Sequence, residues 1–279
     1  MKIPCGRFVL DSEFPLVMGI VNLTPDSFSG DGLNNDIERA LAHAREQLEA
    51  GADLLDLGAE SSRPGAQPVS AVEELRRLLP VLEGLRDCGV PLSVDTCKPE
   101  VMKAALAAGA DMINDITGFA DPESLAVLRS SDCGLCIMHM QGEPRTMQAQ
   151  PRYDDVVAEV RGWLRARVET CVASGIAANR IVIDPGFGFG KSLAHNLELF
   201  RSLPDFADDA PVLIGVSRKS MLGAITGRPV DQRLVASTTA AVMAAQRGAS
   251  IIRVHDVAAT RDALAIWKAI EWEDGSDGT

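Results

Sequence analysis

Hydrogen-bonding side chains stand at the ends of eight short apolar runs in this sequence. Rigidly held carboxylates and amides can recognise a heterocyclic ring, because they pair with the donors and acceptors on its edge. Arginine, lysine and histidine can bind phosphate or stabilise a leaving anion. The residues are Asn22, Asp56, Glu60, Asp95, Asn114, Asp115, His139, Asp184, Ser217, Lys219, Arg253 and His255. One such residue would more simply cap a helix or close a turn, but the whole set predicts a polar pocket.

The apolar runs have the length of β-strands and alternate with longer segments of helical period. Strands are predicted at 16–22, 53–58, 92–96, 111–116, 134–140, 180–185, 212–217 and 250–255. Helices are predicted at 36–50, 70–88, 99–109, 122–131, 153–174, 194–201, 231–247 and 258–271. Eight such units predict an α/β fold, the (β/α)8 or TIM barrel, in which the carboxyl ends of the strands meet at one rim.

An open, doubly wound sheet is the alternative architecture. That sheet usually has a glycine-rich turn after its first strand, whereas this chain reads NLTPDSFSGDG there. We expect one domain over residues 1–279, with a short strand or hairpin within 1–15 closing the bottom of the barrel and a flexible tail at 272–279. Glycine is expected in a left-handed C-cap after four helices, at Gly51, Gly109, Gly175 and Gly248.

Composition narrows the classes of function. A formal net charge of −12 argues against sequence-independent binding to nucleic acid, which depends on lysine and arginine neutralising phosphates. No apolar run is long enough to span a membrane, and the first residues do not resemble a signal peptide. The six cysteines are scattered, as is typical of a reducing compartment. We therefore expect a cytoplasmic protein with small-molecule partners.

Seven segments, in order, resemble the motifs of the dihydropteroate synthase family, and the resemblance runs from about residue 16 to 271. They are NLTPDSFSGDG at 22–32, ESSRPGA at 60–66, SVDT at 93–96, INDITG at 113–118, DPGFGFGK at 184–191, SRKSMLG at 217–223 and RVHDV at 253–257. The resemblance implies a transferase that condenses 6-hydroxymethyl-7,8-dihydropterin pyrophosphate with p-aminobenzoate, giving 7,8-dihydropteroate and pyrophosphate. It also implies Mg2+ as cofactor and a homodimer formed through the late helices.

The resemblance, together with the chemistry and position of the side chains, assigns roles to individual residues. Catalytic roles fall on Asp95, Asp184, Lys219, Arg253, His255 and Asn22, and Asn22 is also the expected Mg2+ ligand. Pterin contacts fall on Asp95, Asn114, Asp184 and Lys219, with Ile116 and Met138 as apolar walls. Pyrophosphate contacts fall on Asn22, Arg63, Arg253 and His255. Contacts to p-aminobenzoate fall on Phe28, Ser61, Ser62, Arg63, Pro64, Phe189, Arg218, Lys219 and Ser220.

Two irregular loops, 23–35 and 59–69, are rich in Gly, Pro, Ser and Asp and are expected to cover the mouth of the barrel. Their candidates for closing over the reacting carbon are Phe28, Asp31, Ser61, Ser62 and Arg63. The second loop departs from the family pattern, since Ser62 replaces a common threonine and Ala59 a frequent glycine. Serine lacks the methyl group of threonine, and the lost contact is worth up to roughly 1 kcal/mol of free energy. We therefore expect looser packing around the p-aminobenzoate ring.

Three other patterns are given structural interpretations. Cys133-x-x-Cys136 with His139 has metal-like spacing, but a zinc site normally needs four ligands, so buried thiols are expected. The GFGFG run at 186–190 lacks the spacing of a dinucleotide fingerprint. The alanine-rich segment 234–249 predicts a closely packed helix.

Two other functions are alternatives: a pterin-binding methyltransferase domain and a non-catalytic pterin-binding homologue. Both would lack a reason to retain the residues proposed to hold pyrophosphate. We expect Arg253→Ala or Lys219→Ala to abolish turnover and leave the fold intact, because both side chains should face the mouth and not the core.

Overall fold

The computed structural model describes residues 1–24, 33–61, 67–143 and 146–271, with the backbone alone at 33–35. Two short strands, β1 (Lys2–Cys5) and β2 (Phe8–Asp11), form an antiparallel hairpin. Eight parallel strands then close a barrel in the order β10-β3-β4-β5-β6-β7-β8-β9. These are β3 (Leu16–Asn22), β4 (Leu54–Gly58), β5 (Leu92–Asp95), β6 (Met112–Asp115), β7 (Gly134–Met138), β8 (Ile181–Asp184), β9 (Val212–Ile214) and β10 (Ala249–Val254). The (β/α)8 prediction is confirmed.

Helices follow the barrel strands. They are α1 (Leu33–Glu49), α2 (Ala71–Leu85), α3 (Pro99–Ala108), α4 (Pro122–Arg129), α5 (Val156–Ala173), α6 (Leu193–Arg201), α7 (Leu203–Ala207), α8 (Ser220–Thr226), α9 (Leu234–Ala245) and α10 (Val257–Glu271). The sequence did not predict α7 or α8, which have five and seven residues, because a helix so short lacks a full amphipathic repeat. Among the described helices, none combines the length and apolarity that crossing a bilayer requires.

The N-terminal hairpin closes the barrel at the amino ends of its strands, as predicted. Ile3, Cys5 and Leu10 pack with inward-facing strand residues such as Met18 in one buried apolar cluster. Around this plug, the guanidinium of Arg7 donates to the carboxylate of Asp111, just before β6, at 2.9 and 2.8 Å. The apolar floor leaves the opposite end of the barrel as the place for polar groups.

The two-residue period of the strands explains why polar side chains gather at that opposite end. On β4, Leu54 belongs to the apolar floor and Asp56, two residues later, lies above it on the same face. Ile251 and Arg253 repeat the arrangement on β10. Barrel closure turns the polar upper layer inward, so groups distant in the chain share one mouth.

The predicted cap residues behave as the sequence indicates. Gly109 ends α3 in the left-handed region, with φ of 108°, and the other three predicted glycines have φ between 89° and 94°. Pro99 and Pro122 lie in the first turns of α3 and α4, where a missing backbone N–H costs no helical hydrogen bond. These caps fix where each helix meets the next strand.

Candidate active site

A partly buried ion-pair network lies at the centre of the barrel mouth. Arg253 Nε donates to Asp56 Oδ2 at 2.6 Å, and its Nη2 reaches Asp95 Oδ2 at 3.4 Å. Asp56 is fully buried, and its other carboxylate oxygen accepts from Ser93 Oγ at 2.6 Å. Three strands, β4, β5 and β10, therefore contribute to one charged cluster.

Asn114 joins the same network from β6. Its Nδ2 lies 3.4 Å from Asp56 Oδ2, while its Oδ1 is buried and has no hydrogen-bond partner among the described residues. An orphaned buried acceptor costs free energy unless a ligand supplies a donor. The amide oxygen is therefore available to accept a hydrogen bond. Met138 is buried on β7, and Ile116 is half-buried just after β6.

Asp184 ends β8 and has two roles. Its Oδ1 accepts from the backbone N–H of Gly186 at 2.7 Å, so it shapes the turn that follows the strand. Burial raises the pKa of Asp184, and the opposing charge of Lys219 is the largest influence that lowers it. The carboxylate is thus held rigidly while remaining electrostatically coupled to a lysine from the next unit of the barrel.

Lys219 lies immediately before α8 and reaches over the mouth. Its Nζ donates to the Phe187 carbonyl at 2.6 Å and lies 4.6 Å from the centre of the Phe189 ring. Burial lowers the pKa of Lys219 to about 8, with Asp184 opposing the shift. Both cationic side chains pass beside Gly215, since a Cβ there would lie 3.9 Å from Lys219 Nζ and 3.9 Å from Arg253 Cδ.

Asp95 carries a perturbed carboxyl group. Burial, followed by the neighbouring charge of Asp56, raises its pKa to about 7, although Arg253 opposes the shift. The ionised group is thus costly in the free protein and becomes favourable when a cation or hydrogen-bond donor binds beside it. Such perturbation is common at functional sites.

The raised pKa gives a test of stability. A folded-state pKa above the unfolded value of about 4 means that Asp95 adds stability at low pH, which is lost as pH rises through about 7. We expect the melting temperature of Asp95→Asn to be no lower than that of the unsubstituted protein at pH 8. Relative to the unsubstituted protein, it should fall as the pH is lowered to 5. Thermal unfolding at both pH values measures this. A variant that melts lower at pH 8 and relatively higher at pH 5 would contradict the electrostatic account.

His255 and Asn22 lie at the rim beside this cluster. The backbone N–H of His255 donates to Ser217 Oγ at 3.2 Å, and the imidazole Nδ1 lies 3.1 Å from the same oxygen. Gln47 Nε2 donates to the His255 carbonyl at 3.1 Å. These contacts fix the backbone and the orientation of the imidazole. Asn22 is half-buried at the end of β3.

Not every predicted contact residue points at the mouth. The guanidinium of Arg218 forks onto Asp256 at 3.0 and 2.5 Å, so its charge is already paired. Its backbone has φ of 58°, an uncommon conformation for a non-glycine residue, and its N–H donates to Ser237 Oγ at 2.9 Å. Ser220 is exposed in the first turn of α8. The predicted contacts of Arg218 and Ser220 with p-aminobenzoate stay predictions.

Some of the polar residues predicted at strand ends stabilise local structure and do not join the charged cluster. Glu60 pairs with Lys98 and accepts from the Val69 N–H. Asp115 accepts from two backbone N–H groups and the Thr117 hydroxyl within its own turn. Ser61 is half-buried at the edge of the described chain. Five predicted residues lie outside the described residues: Phe28, Asp31, Ser62, Arg63 and Pro64.

One expectation needs correction. The guanidinium of Arg253 does not only face the mouth, because it also neutralises the fully buried carboxylate of Asp56. Removing an ion-pair partner from such a group is strongly destabilising, so Arg253→Ala is expected to weaken the fold that the sequence alone predicted it would leave intact. The strand period places Asp56 above Leu54 on the inner face, but sequence cannot reveal which cation reaches it from a strand 197 residues away.

The site residues lie within a region that matches a known family. A family model described as pterin binding enzyme matches residues 18–255. The dihydropteroate synthase of Neisseria meningitidis serogroup B is 50% identical over 273 residues, covering 95% of this chain and 96% of that protein. The family match runs from within β3 to just beyond the end of β10.

Solved structures agree with the family match. The dihydropteroate synthase of Burkholderia cenocepacia, complexed with 7,8-dihydropteroate, is 52% identical, with a TM-score of 0.88 and 96% of each chain covered. The Xanthomonas albilineans dihydropteroate synthase with 4-aminobenzoic acid is 49% identical, with a TM-score of 0.92 over 97% of this chain and 98% of that one.

Proposed function

The chain belongs to the dihydropteroate synthase family of pterin binding enzymes, and from this premise we propose how its barrel mouth performs the reaction. The reaction is a group transfer: 6-hydroxymethyl-7,8-dihydropterin pyrophosphate and p-aminobenzoate give 7,8-dihydropteroate and pyrophosphate. The observation that carries the proposal is the convergence of Asp95, Asp184, Lys219 and Arg253 on one mouth. The residue roles below are assigned on this basis.

The pterin ring binds between the strand-end acids and the Asn114 amide. Its aminopyrimidinone edge presents adjacent donors and acceptors, which match the carboxylates of Asp95 and Asp184 and the unpaired Asn114 Oδ1. Met138 and Ile116 supply apolar surface to the ring faces. Holding these groups on strands limits their motion, so little ordering is needed when the ring binds.

The pyrophosphate binds on the cationic side of the mouth. Arg253 has guanidinium N–H groups beyond those that donate to Asp56 and Asp95, and these can donate to phosphate oxygens. His255 adds a second donor beside it on alternate positions of the same segment. Lys219 contributes a further charge from beyond Gly215. These cations lower the energy of the charge that develops on the leaving group.

Mg2+ fits this site as an ion carried by the substrate. In the part of the chain that the structure describes, no group of three or more His, Cys, Asp or Glu could hold a metal by itself. The half-buried Asn22 provides a hard amide oxygen at the rim, and Mg2+ commonly uses one or two protein ligands together with substrate phosphates. When bound, the ion would neutralise charge on the departing pyrophosphate.

The order of events follows from the charges. Departure of pyrophosphate leaves a methylene cation conjugated with the pterin, and the carboxylates of Asp95 and Asp184 stabilise that positive charge. The neutral amine of p-aminobenzoate then attacks the methylene carbon and afterwards loses a proton. Phe189 packs against the benzoate ring, and Lys219, stacked over Phe189, bridges the two substrate sites. No covalent bond to the protein is required.

The comparisons support this function over the pterin-binding methyltransferase and the non-catalytic homologue. The relatives named above are dihydropteroate synthases, one of them complexed with 7,8-dihydropteroate. The described cations Lys219 and Arg253, with His255 beside them as a hydrogen-bonding group, also suit a substrate with a pyrophosphate group. A methyl donor would give them nothing comparable to bind.

We further propose that the protein is a cytoplasmic homodimer. Helices α9 and α10 pack together and leave a row of apolar side chains in solvent: Val235, Met243, Ile266 and Ile270. A second copy covering this row would remove them from water. Sedimentation at twice the chain mass of 29.7 kDa, lost in Ile266→Glu, would support the dimer. All six cysteines, each within the described ranges, are free thiols, as suits a reducing compartment.

The experiment that tests the function is pyrophosphate release measured with and without p-aminobenzoate, and with Mg2+ present or chelated. We expect sustained, multiple-turnover release only when Mg2+ and both substrates are present, together with stoichiometric dihydropteroate in the product. With both substrates present, release that yields no dihydropteroate, or absence of turnover by folded protein, would contradict the proposal.

A further inference from the structure

Lys191 is a buried cation to which the mechanism above gives no role. It is the last residue of the glycine-rich segment after β8, and only 3% of its surface is exposed. Its Nζ lies 2.9 Å from His139 Nδ1 and donates to the Phe189 carbonyl at 3.0 Å. It is also 3.4 Å from the His139 carbonyl. A cation at this depth is costly, so its retention needs a reason.

The imidazole of His139 acts as an acceptor for this ammonium. Burial, followed by the charge of Lys191, lowers the pKa of His139 to about 3, so the ring is neutral near pH 7. Its Nδ1 then accepts from Lys191 and its Nε2 carries the proton. The ring is fixed edge-on to Trp163, with the two centres 5.1 Å apart. Lys191 is thus bonded to a part of the core that cannot easily move.

The glycine-rich segment itself crosses tightly over β7. A Cβ at Gly186 would lie 1.9 Å from the His139 carbonyl oxygen, and Gly186 has φ of 70°. The segment therefore has contact with the core on its inner side, at the place where Lys191 Nζ lies 3.4 Å from the same hypothetical Cβ. Glycine is required here because no other residue allows this close approach.

Two lysines bind this segment from opposite sides. Lys219 binds the Phe187 carbonyl from the mouth, and Lys191 binds the Phe189 carbonyl from the core. The Phe189 ring lies under the Lys219 ammonium at 4.6 Å. Moving the Phe189 backbone would therefore displace both the ring and the cation that contacts it.

We propose that Lys191 is a positioning residue for p-aminobenzoate: by fixing the 185–190 segment on His139, it sets where Phe189 and Lys219 meet that substrate. The inference rests on the proposed function. It predicts a selective effect, because Asp184 is the last residue of β8 and its carbonyl accepts from the His139 N–H at 3.0 Å, so the pterin site keeps its main anchor.

The lowered pKa of Lys191 indicates that its charge does not stabilise the fold, which leaves room for a role in the site. Burial lowers this pKa to about 7, while the charge of Asp184 opposes the shift and that of Lys219 adds to it. A folded-state pKa below the unfolded value means that the charge disfavours folding near neutral pH. The described side chains that face it are His139, Asp184 and Lys219, so the cluster holds one carboxylate for two ammonium groups.

The test is the substrate dependence of Lys191→Met, which removes the donors and keeps an unbranched chain of similar length. We expect the KM for p-aminobenzoate to rise about tenfold or more, equivalent to about 1.4 kcal/mol. The KM for the pterin pyrophosphate should change by less than about threefold on the same scale. Titration of a pterin analogue into the variant provides an independent check that this site is intact.

Arg180→Met is the matched control. Arg180 is also a buried cation bonded to backbone carbonyls, those of Cys133 and Leu128, but at the opposite end of β8. It should lower the melting temperature and leave both KM values unchanged. Equal changes in both KM values of Lys191→Met, or no change in either, would overturn the inference. Failure of the unsubstituted protein to turn over would instead count against the proposed function.

Discussion

Lys219→Ala is expected to reduce kcat/KM by about 10²- to 10³-fold, the usual effect of removing one group that stabilises charge in a transition state. The reason is its position, bonded to the Phe187 carbonyl and lying over Phe189, between the proposed sites of both substrates. Steady-state pyrophosphate release measures the loss. Because burial lowers the pKa of Lys219 to about 8, its charge does not favour folding, and the melting temperature should change little.

Lys103→Ala is the control for this variant, since Lys103 is an exposed lysine on α3. It should retain full activity. A well-folded Lys219→Ala protein with activity within about threefold of normal would show that the lysine adds under roughly 1 kcal/mol to transition-state binding, contrary to its proposed role.

Arg253→Ala is expected to lose both activity and stability. Activity should fall by at least about 10²-fold, because the guanidinium charge and the remaining N–H donors proposed to bind pyrophosphate are removed. The free energy of unfolding should fall by about 3–5 kcal/mol, since the fully buried Asp56 loses the cation that neutralises it. Kinetics below the melting temperature, combined with denaturant unfolding, separate the two effects.

The double variant Asp56→Asn/Arg253→Ala distinguishes the two roles of the arginine. An asparagine can still accept from Ser93, which bonds the carboxylate at 2.6 Å, and carries no charge to neutralise. We expect this variant to recover much of the lost stability and none of the lost activity. Recovery of activity along with stability would mean that Arg253 only supports the fold.

The sequence predicted the polar rim because each of its groups ends a separate strand, and strand ends are visible from local patterns. Asp95, Asn114 and Asp184 were found in this way, and the apolar plug made by the first hairpin was also predicted. Local patterns also predicted the helix caps, since glycine and proline act on their own backbone.

The pairing of these groups could not be predicted. Which cation reaches Asp56 depends on the stagger of strands around the closed barrel, and Arg253 comes from the strand beyond β3 in that order. Lys191 was part of a recognised motif, but only the fold brings His139 against it. The short α8, which begins at Ser220, was missed because seven residues carry too little periodicity.

The mouth of the barrel combines two kinds of group. Carboxylates and an amide with an unpaired oxygen suit the edge of a pterin, and cations across Gly215 suit pyrophosphate. Desolvation shifts the pKa values of Asp95 and Lys219 in opposite directions, to about 7 and about 8. Both groups are therefore poised to gain from a ligand that brings complementary charge.

A crystal structure of this protein with 7,8-dihydropteroate tests most directly whether residues from separate strands form one pterin site. The account predicts that the aminopyrimidinone edge lies within hydrogen-bond distance, about 2.7–3.2 Å, of Asp95, Asn114 Oδ1 and Asp184, with the benzoate ring beside Phe189. A product bound elsewhere, or a pterin edge that leaves Asn114 and both carboxylates without contact, would contradict it.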